Sequence, residues 1–356
     1  MSARGFRVID LSLMVGVTLA ASLVAVTVSA DPSVARTDVV ARTDERASAA
    51  IEPAATSTTA PPVPTFPLTG LPAGNAAVVS DRRAVAAKID GLGGIPAVWG
   101  VEQSDMVVEV VVEGGLTRLI AIFQSRDPAR IGPVRSVRTS DFGVLTPLKR
   151  PLLVFSGGNE GTVQMARSAP LLAFMPLSAE GDDVFWRDRS LRAPHNLFAS
   201  VPEVRSHAEQ GMSPQPLFDF SPNAPVGRTV GTVKARLTWA TRVAFRWDAT
   251  RKVWLRELDG RPQLDGTGNQ LVTDNVLLLI SPYGTSPFDA RSPEAQPIGS
   301  GAVRLYRNGI ETIGTWTRAD ADETWTLRSA DGAPMALAPG RTWMVVVPGF
   351  ARITSE

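Results

Sequence analysis

The segment from Asp105 to Phe123, DMVVEVVVEGGLTRLIAIF, constrains the fold more than any other stretch of the 356-residue chain. β-Branched residues dominate its first eight positions, and such side chains fit a pleated strand better than a helix. Alternation puts Met106, Val108, Val110 and Val112 on one face, and Asp105, Val107, Glu109, Val111 and Glu113 on the other. Gly114-Gly115 supplies a turn, and Leu119 to Phe123 a second apolar strand. The expectation is a hairpin with one purely apolar face and one face carrying carboxylates.

The rest of the first half interleaves strands and helices. Ala84 to Ile89 reads as an earlier strand, and residues 151–168, PLLVFSGGNEGTVQMARS, read as strand, glycine-rich loop and helix. Backbone N–H groups at such a junction can hold an anion. Here no Lys-Ser/Thr pair follows the glycines and Glu160 would repel phosphate, so a tight structural turn is the better reading. Beyond a Pro-rich stretch at 213–225 the pattern changes to short strands and turns, as in Arg242 to Trp247, Lys252 to Arg256, Leu271 to Ile280 and Thr342 to Val347. Six tryptophans lie there (239, 247, 254, 316, 325, 343), a set that suits a core more often than a ligand platform. The length favours two domains. The predicted fold class is an α/β (α+β) N-terminal domain over 67–212, a linker at 213–228, and a smaller β-rich C-terminal domain over 229–352.

An uncharged run precedes all of this. Residues 11–30, LSLMVGVTLAASLVAVTVSA, follow Arg4 and Arg7, and as a helix would be about 30 Å long, the thickness of a bilayer core. Positive charge before the run and Asp31 after it predict an N-in orientation with the bulk outside. Val28-Ser29-Ala30 resembles a cleavage site, so residues 1–30 are a signal-anchor or a signal peptide; the length of the run favours a retained anchor. Residues 31–66, rich in Ala, Thr, Ser and Pro, are expected to be a disordered tether. The predicted location is the cell membrane, single-pass with an extracytoplasmic C-terminal region, or secreted if the segment is cleaved.

Composition removes several function classes. There is no cysteine, hence no disulfide framework, thiolate zinc site, cysteine nucleophile or lipid-modified cysteine. Two histidines make a histidine-rich metal site improbable, and no metal or cofactor is expected. Lys plus Arg total 36 against 35 Asp plus Glu, which leaves no basic stripe for nucleic acid.

The ionisable residues beside the hairpin are the candidate chemistry. Glu109 and Glu113 on one regular strand would share a face about 13 Å apart. That exceeds either carboxylate spacing that glycosidases use. Arg118, Arg135 and Arg138 follow closely and can serve as ion-pair partners or as anion-binding forks. His195, in Ala193-Pro194-His195-Asn196, can present an imidazole to a cleft, with Asp188 as the expected orienting acid. Asp265-Gly-Thr-Gly-Asn269 alternates oxygens, but Gln270 and Val276 stand where a calcium loop needs Gly and Glu; a hairpin turn is expected instead.

Several of these segments together resemble a known family. QSDMVVEVVVEGGLTRLIAIFQS (103–125), IGPVRSVR (131–138) and APHNLF (193–198) look like the YerB-like lipoprotein family, domain of unknown function 3048. The DG…D element at 259–265, NVLLLI (275–280), GSG (299–301) and APGRTWMVVV (338–347) resemble its C-terminal domain. The resemblance runs from Pro67 to Val347. It implies an extracytoplasmic bacterial protein with an α/β N-terminal and a smaller C-terminal domain, and supplies no established activity. Two departures stand out: no cysteine is present to carry a lipid, and Gln263 replaces the histidine common in the family's DG-P-H-x-D element.

The expected function is an envelope binding or scaffolding module for a polar or anionic cell-wall-related ligand or an envelope protein partner. Its site would draw on Glu109, Glu113, Arg118, Arg135, Arg138, His195 and Asn196, none in an assigned catalytic role. The alternative is a hydrolase or transferase acting on envelope polymers through Glu109/Glu113 or His195. A third reading is purely structural ion pairing.

Overall fold

The computed structural model describes residues 63–356 apart from Gly93, Gly94, Pro96, Leu177, Ala179, Glu180, Asp182 and Gln210. The expected anchor, and the tether up to residue 62, lie outside the described residues. Among the described residues no helix is long and apolar enough to cross a membrane. Residues 60–356 form one compact unit.

The fold is mixed and strand-rich. In the first half β1 (Val85–Asp90), β2 (Met106–Val111), β3 (Thr117–Phe123), β4 (Leu152–Val154) and β5 (Leu172–Phe174) lie in one sheet. The hairpin is present, with β2 and β3 antiparallel and Met106 opposite Ile122. Its strand stops at Val111, however, because Glu113–Gly115 turns as a 3₁₀ segment with Gly114 and Gly115 at φ 69° and 71°. Only glycine takes that conformation without a Cβ penalty. Glu113 therefore leaves the strand and does not share a face with Glu109.

The sheet does not end with the first half. Strand Thr342–Pro348 pairs parallel with β2 on one side and with strand Asn275–Ser281 on the other. Strands Gly299–Arg307, Ile310–Arg318 and Thr326–Ser329 then extend it by antiparallel steps. The path reads 326–329, 310–318, 299–307, 275–281, 342–348, β2, β3, β1, β4, β5. The most valine-rich strands thus sit at its centre, covered on both faces, which is why their sequences are nearly continuous apolar runs.

One face is covered by a second sheet made of Arg261–Pro262, Val253–Leu258, Arg242–Asp248, Thr232–Arg236 and Arg352–Ser355, with Val272–Thr273 at its side. Val107, Val111, Phe245, Trp254 and Trp343 share the core between the sheets. Helix Thr139–Leu145 helps cover the other face, where Phe142, Val144 and Leu145 pack on Val108, Val110, Ile120 and Ile122. Trp254, Trp316, Trp325 and Trp343 are core side chains, whereas Trp239 is 81% exposed.

Candidate functional site

β1 carries two charges in an otherwise apolar strand. Lys88 and Asp90 are two residues apart, so they share a face, and neither is exposed to solvent. The β1–β3 register sets Arg118 opposite Asp90. The extended segment after Ile131 is tied along β1, with Arg135 N–H donating to Lys88 O (2.8 Å) and Asp90 N–H to Pro133 O (2.9 Å). That backbone ladder carries Arg135 to the Asp90 carboxylate and delivers Arg138 to the start of helix Thr139–Leu145.

Around Asp90 the contacts are unequal. His195 Nδ1 lies 2.6 Å from Oδ2 and is the short contact. Arg135 Nε approaches Oδ2 at 3.5 Å, and Arg118 Nη1 approaches Oδ1 at 3.6 Å. Each arginine spends one nitrogen on a carbonyl: Arg118 Nη1 on Thr117 O (2.9 Å) and Arg135 Nη1 on Pro194 O (3.1 Å). Neither closes a bidentate fork on the carboxylate. Burial pushes the Arg118 guanidinium down; Asp90 opposes this, while Arg135 and Arg138 press in the same direction as burial. With Asp90 as a carboxylate, Nδ1–H of His195 must donate, which leaves Nε2 as the ring's acceptor. The side chains of Arg135 and His195 remain 21% and 31% exposed.

Two closed pairs flank this group. Lys88 Nζ meets Asp141 Oδ1 at 2.5 Å in full burial, and Asp141 Oδ2 also accepts the Arg138 backbone N–H (2.8 Å). Burial lowers the Lys88 ammonium, and Asp141 opposes that shift. Arg138 forks onto Glu113, Nε to Oε1 at 2.6 Å and Nη2 to Oε2 at 2.9 Å, and the Ser292 hydroxyl donates to the same Oε1. Burial pushes the Glu113 carboxyl up, but the hydrogen bonds from Arg138 and Ser292 outweigh it and hold it below the usual range. Lys88, Arg118, Arg135 and Arg138 face Asp90, Glu113 and Asp141, four cations against three carboxylates.

The seven expected site residues therefore separate. Arg118, Arg135 and His195 gather at Asp90; Glu113 and Arg138 form the closed fork beside them. Asn196 turns away, its side-chain oxygen accepting from Arg187 Nη1 (2.9 Å). Glu109 lies across the sheet, fully buried, accepting from Thr117 Oγ1 (2.8 Å), Arg256 Nη2 (2.8 and 3.0 Å) and Trp343 Nε1 (3.0 Å). The acid that orients His195 is Asp90, not Asp188, which pairs with Arg130 at 2.7 Å. Asp265 is the hub of a local turn, its Oδ1 accepting from Thr267 N–H (2.8 Å), Thr267 Oγ1 (2.7 Å) and Asn269 N–H (3.0 Å). Among the described residues no cluster of His, Asp and Glu is arranged to hold a metal.

Comparison with known proteins agrees with this architecture. The N-terminal domain of the family described as Protein of unknown function (DUF3048) matches residues 68–213, and its C-terminal domain matches residues 233–344. Over 295 residues the chain is 28% identical to a Bacillus subtilis (strain 168) protein named "Putative lipoprotein YerB", covering 79% of this chain and 86% of the relative. A crystal structure of the YerB protein from Bacillus subtilis aligns with a TM-score of 0.71 at 24% identity, covering 82% of this chain and 99% of that one. At that identity the likeness is one of fold.

Proposed function

The chain belongs to the DUF3048 family, whose function is unknown, and on that premise we propose that it is an envelope-facing module that binds the anionic group of a polar ligand at the Asp90 cluster. The supporting observation is that Arg118 and Arg135 crowd one buried carboxylate at 3.5–3.6 Å without closing on it. Their remaining N–H groups make a cationic site beside His195, and a carboxylate or phosphate is the group a guanidinium fork matches. The relative's lipoprotein name supports an extracytoplasmic location. With no cysteine in the chain to carry a lipid, the apolar run at 11–30 serves as the anchor and residues 31–62 as the tether, since Pro64 and Phe66 already hydrogen-bond back onto Ala73 and Leu71 of the folded unit.

The test is a thermal-unfolding screen with muropeptides, sugar nucleotides and inorganic phosphate. A ligand at about 100 times its Kd stabilises the folded state by about 2.7 kcal/mol. Arg135→Gln should abolish the shift while leaving the unliganded transition in place. A silent panel, or a ligand that stabilises Arg135→Gln as well as the parent, rejects the site.

The Asp90–His195 contact supports a second reading, a hydrolase or transferase with His195 as general base, since Nε2 is the free acceptor of an acid-oriented imidazole. It requires turnover of an envelope polymer fragment that His195→Gln removes. Glu113 is poorly suited to that role, because a carboxyl held low is a weak base.

A further inference from the structure

The outer face of the second sheet carries a charge pattern unrelated to the Asp90 site. Arg352 and Arg242 each pair in register with Arg236, so three arginines stand side by side across adjacent strands and all are exposed. Like charges placed directly opposite one another destabilise a sheet. The next row is different: Lys234 meets Glu356 at 3.2 Å, and further along Arg246 meets Glu257 at 3.6 Å. Among the described residues no ion pair reaches Arg236, Arg242 or Arg352. Asp259, at the end of the row, spends one oxygen on the Arg242 backbone N–H (2.8 Å). Other exposed cations without an ion pair among the sheet's described residues, such as Arg251 and Lys252 in the turn at the far end, do not form such a row. Three unpaired arginines thus stand together on adjacent strands at this end of the sheet.

That same end carries two of the most exposed aromatic side chains. Trp239, 81% exposed, sits in the turn between Thr232–Arg236 and Arg242–Asp248, and Phe350, 74% exposed, in the turn before Arg352–Ser355. Both line one shallow groove. The Trp239 turn is braced, with the Thr238 and Thr241 hydroxyls both donating to Gly115 O. A Cβ at Gly115 would lie 3.0 Å from Trp239 Nε1, so the indole edge rests on that glycine and the ring is held outward.

We propose that this end of the molecule docks on an anionic bilayer surface. Trp239 and Phe350 enter at headgroup level, and Arg236, Arg242 and Arg352, each two or three residues away along the chain, meet the lipid phosphates. Aromatic side chains at the interface backed by cations are the arrangement that lipid headgroups favour. Neutral rows farther from the tips fit a planar layer of anions better than a single small ligand. The idea is independent of the Asp90 site.

The test uses residues 60–356, the compact unit that carries both cores, so that the apolar N-terminal run contributes nothing. Sedimentation with phosphatidylglycerol/phosphatidylcholine vesicles should bind this piece, with partitioning at least about ten-fold weaker on pure phosphatidylcholine. Arg236→Gln and Arg352→Gln should each weaken it about five-fold. Trp239→Ala should weaken it comparably, whereas Val226→Ser, at an exposed apolar residue elsewhere, should not. Absence of vesicle binding, equal binding to both lipids, or variants that partition like the parent would overturn the proposal. So would Trp239-dependent binding of hexagalacturonate without vesicle binding, which would make the patch a glycan platform.

Discussion

Glu109 has no acceptor capacity left for a ligand, since Thr117, Arg256 and Trp343 occupy both oxygens. Its partner Arg256 is equally buried and lies over the rings of Phe245 and Trp343, 5.0 Å from each centroid. Burial lowers the Arg256 guanidinium, and Glu109 is the first of the charges that oppose it. Removing one member of such a pair strands the other charge in the core. Glu109→Gln is expected to cost about 3–5 kcal/mol, read as a lower denaturant midpoint, with ligand binding at Asp90 intact. Glu113 makes a different prediction. Its folded value lies below that of the unfolded chain, so its stabilisation is complete above the ordinary glutamate value of about 4.3 and is lost as pH falls through the lower folded value. Unfolding midpoints measured through that window should fall less steeply for Glu113→Gln than for the parent. Equal slopes would mean that the Arg138 fork contributes nothing to acid stability.

At the level of elements, β2 and β3 were legible because β-branched runs and a Gly-Gly turn are local signals. The 3₁₀ ending of β2 was less so: alternation carried Glu113 onward in the strand, while the two left-handed glycines turn the chain two residues earlier. Asp90 was missed for a related reason. It ends a run that reads as apolar, yet Lys88 and Asp90 two apart in a buried strand already demand partners on one face. The link between Asp90 and His195 could not be read at all, since it joins residues 105 positions apart. Contacts between distant elements also fix Gly266, where a Cβ would fall 1.9 Å from Trp99 Cδ1. Gly266→Ala should destabilise the fold by about 1–3 kcal/mol. Trp99→Leu should relieve part of that cost in a double-mutant cycle; strict additivity would show that the two sites do not touch.

For the molecule as a whole, the sequence pattern of a mixed first half and a β-rich second half holds, but one sheet runs through both. Parallel pairing between distant strands leaves no local trace, so the join along β2 and Thr342–Pro348 was invisible before the structure. The halves share a core as well as a sheet. Calorimetry of residues 60–356 should therefore give one transition whose calorimetric and van't Hoff enthalpies agree. Two resolved transitions would show that the halves unfold separately. The central position of Thr342–Pro348 also bears on biogenesis. That strand follows β2 far along the chain, so β2 is synthesised well before the partner that covers its edge. Until it arrives, β2 has a bare edge, and a valine-rich bare edge recruits other chains. Productive folding must wait for that strand, so a chain truncated before residue 342 is expected to be an aggregating fragment rather than a smaller working protein.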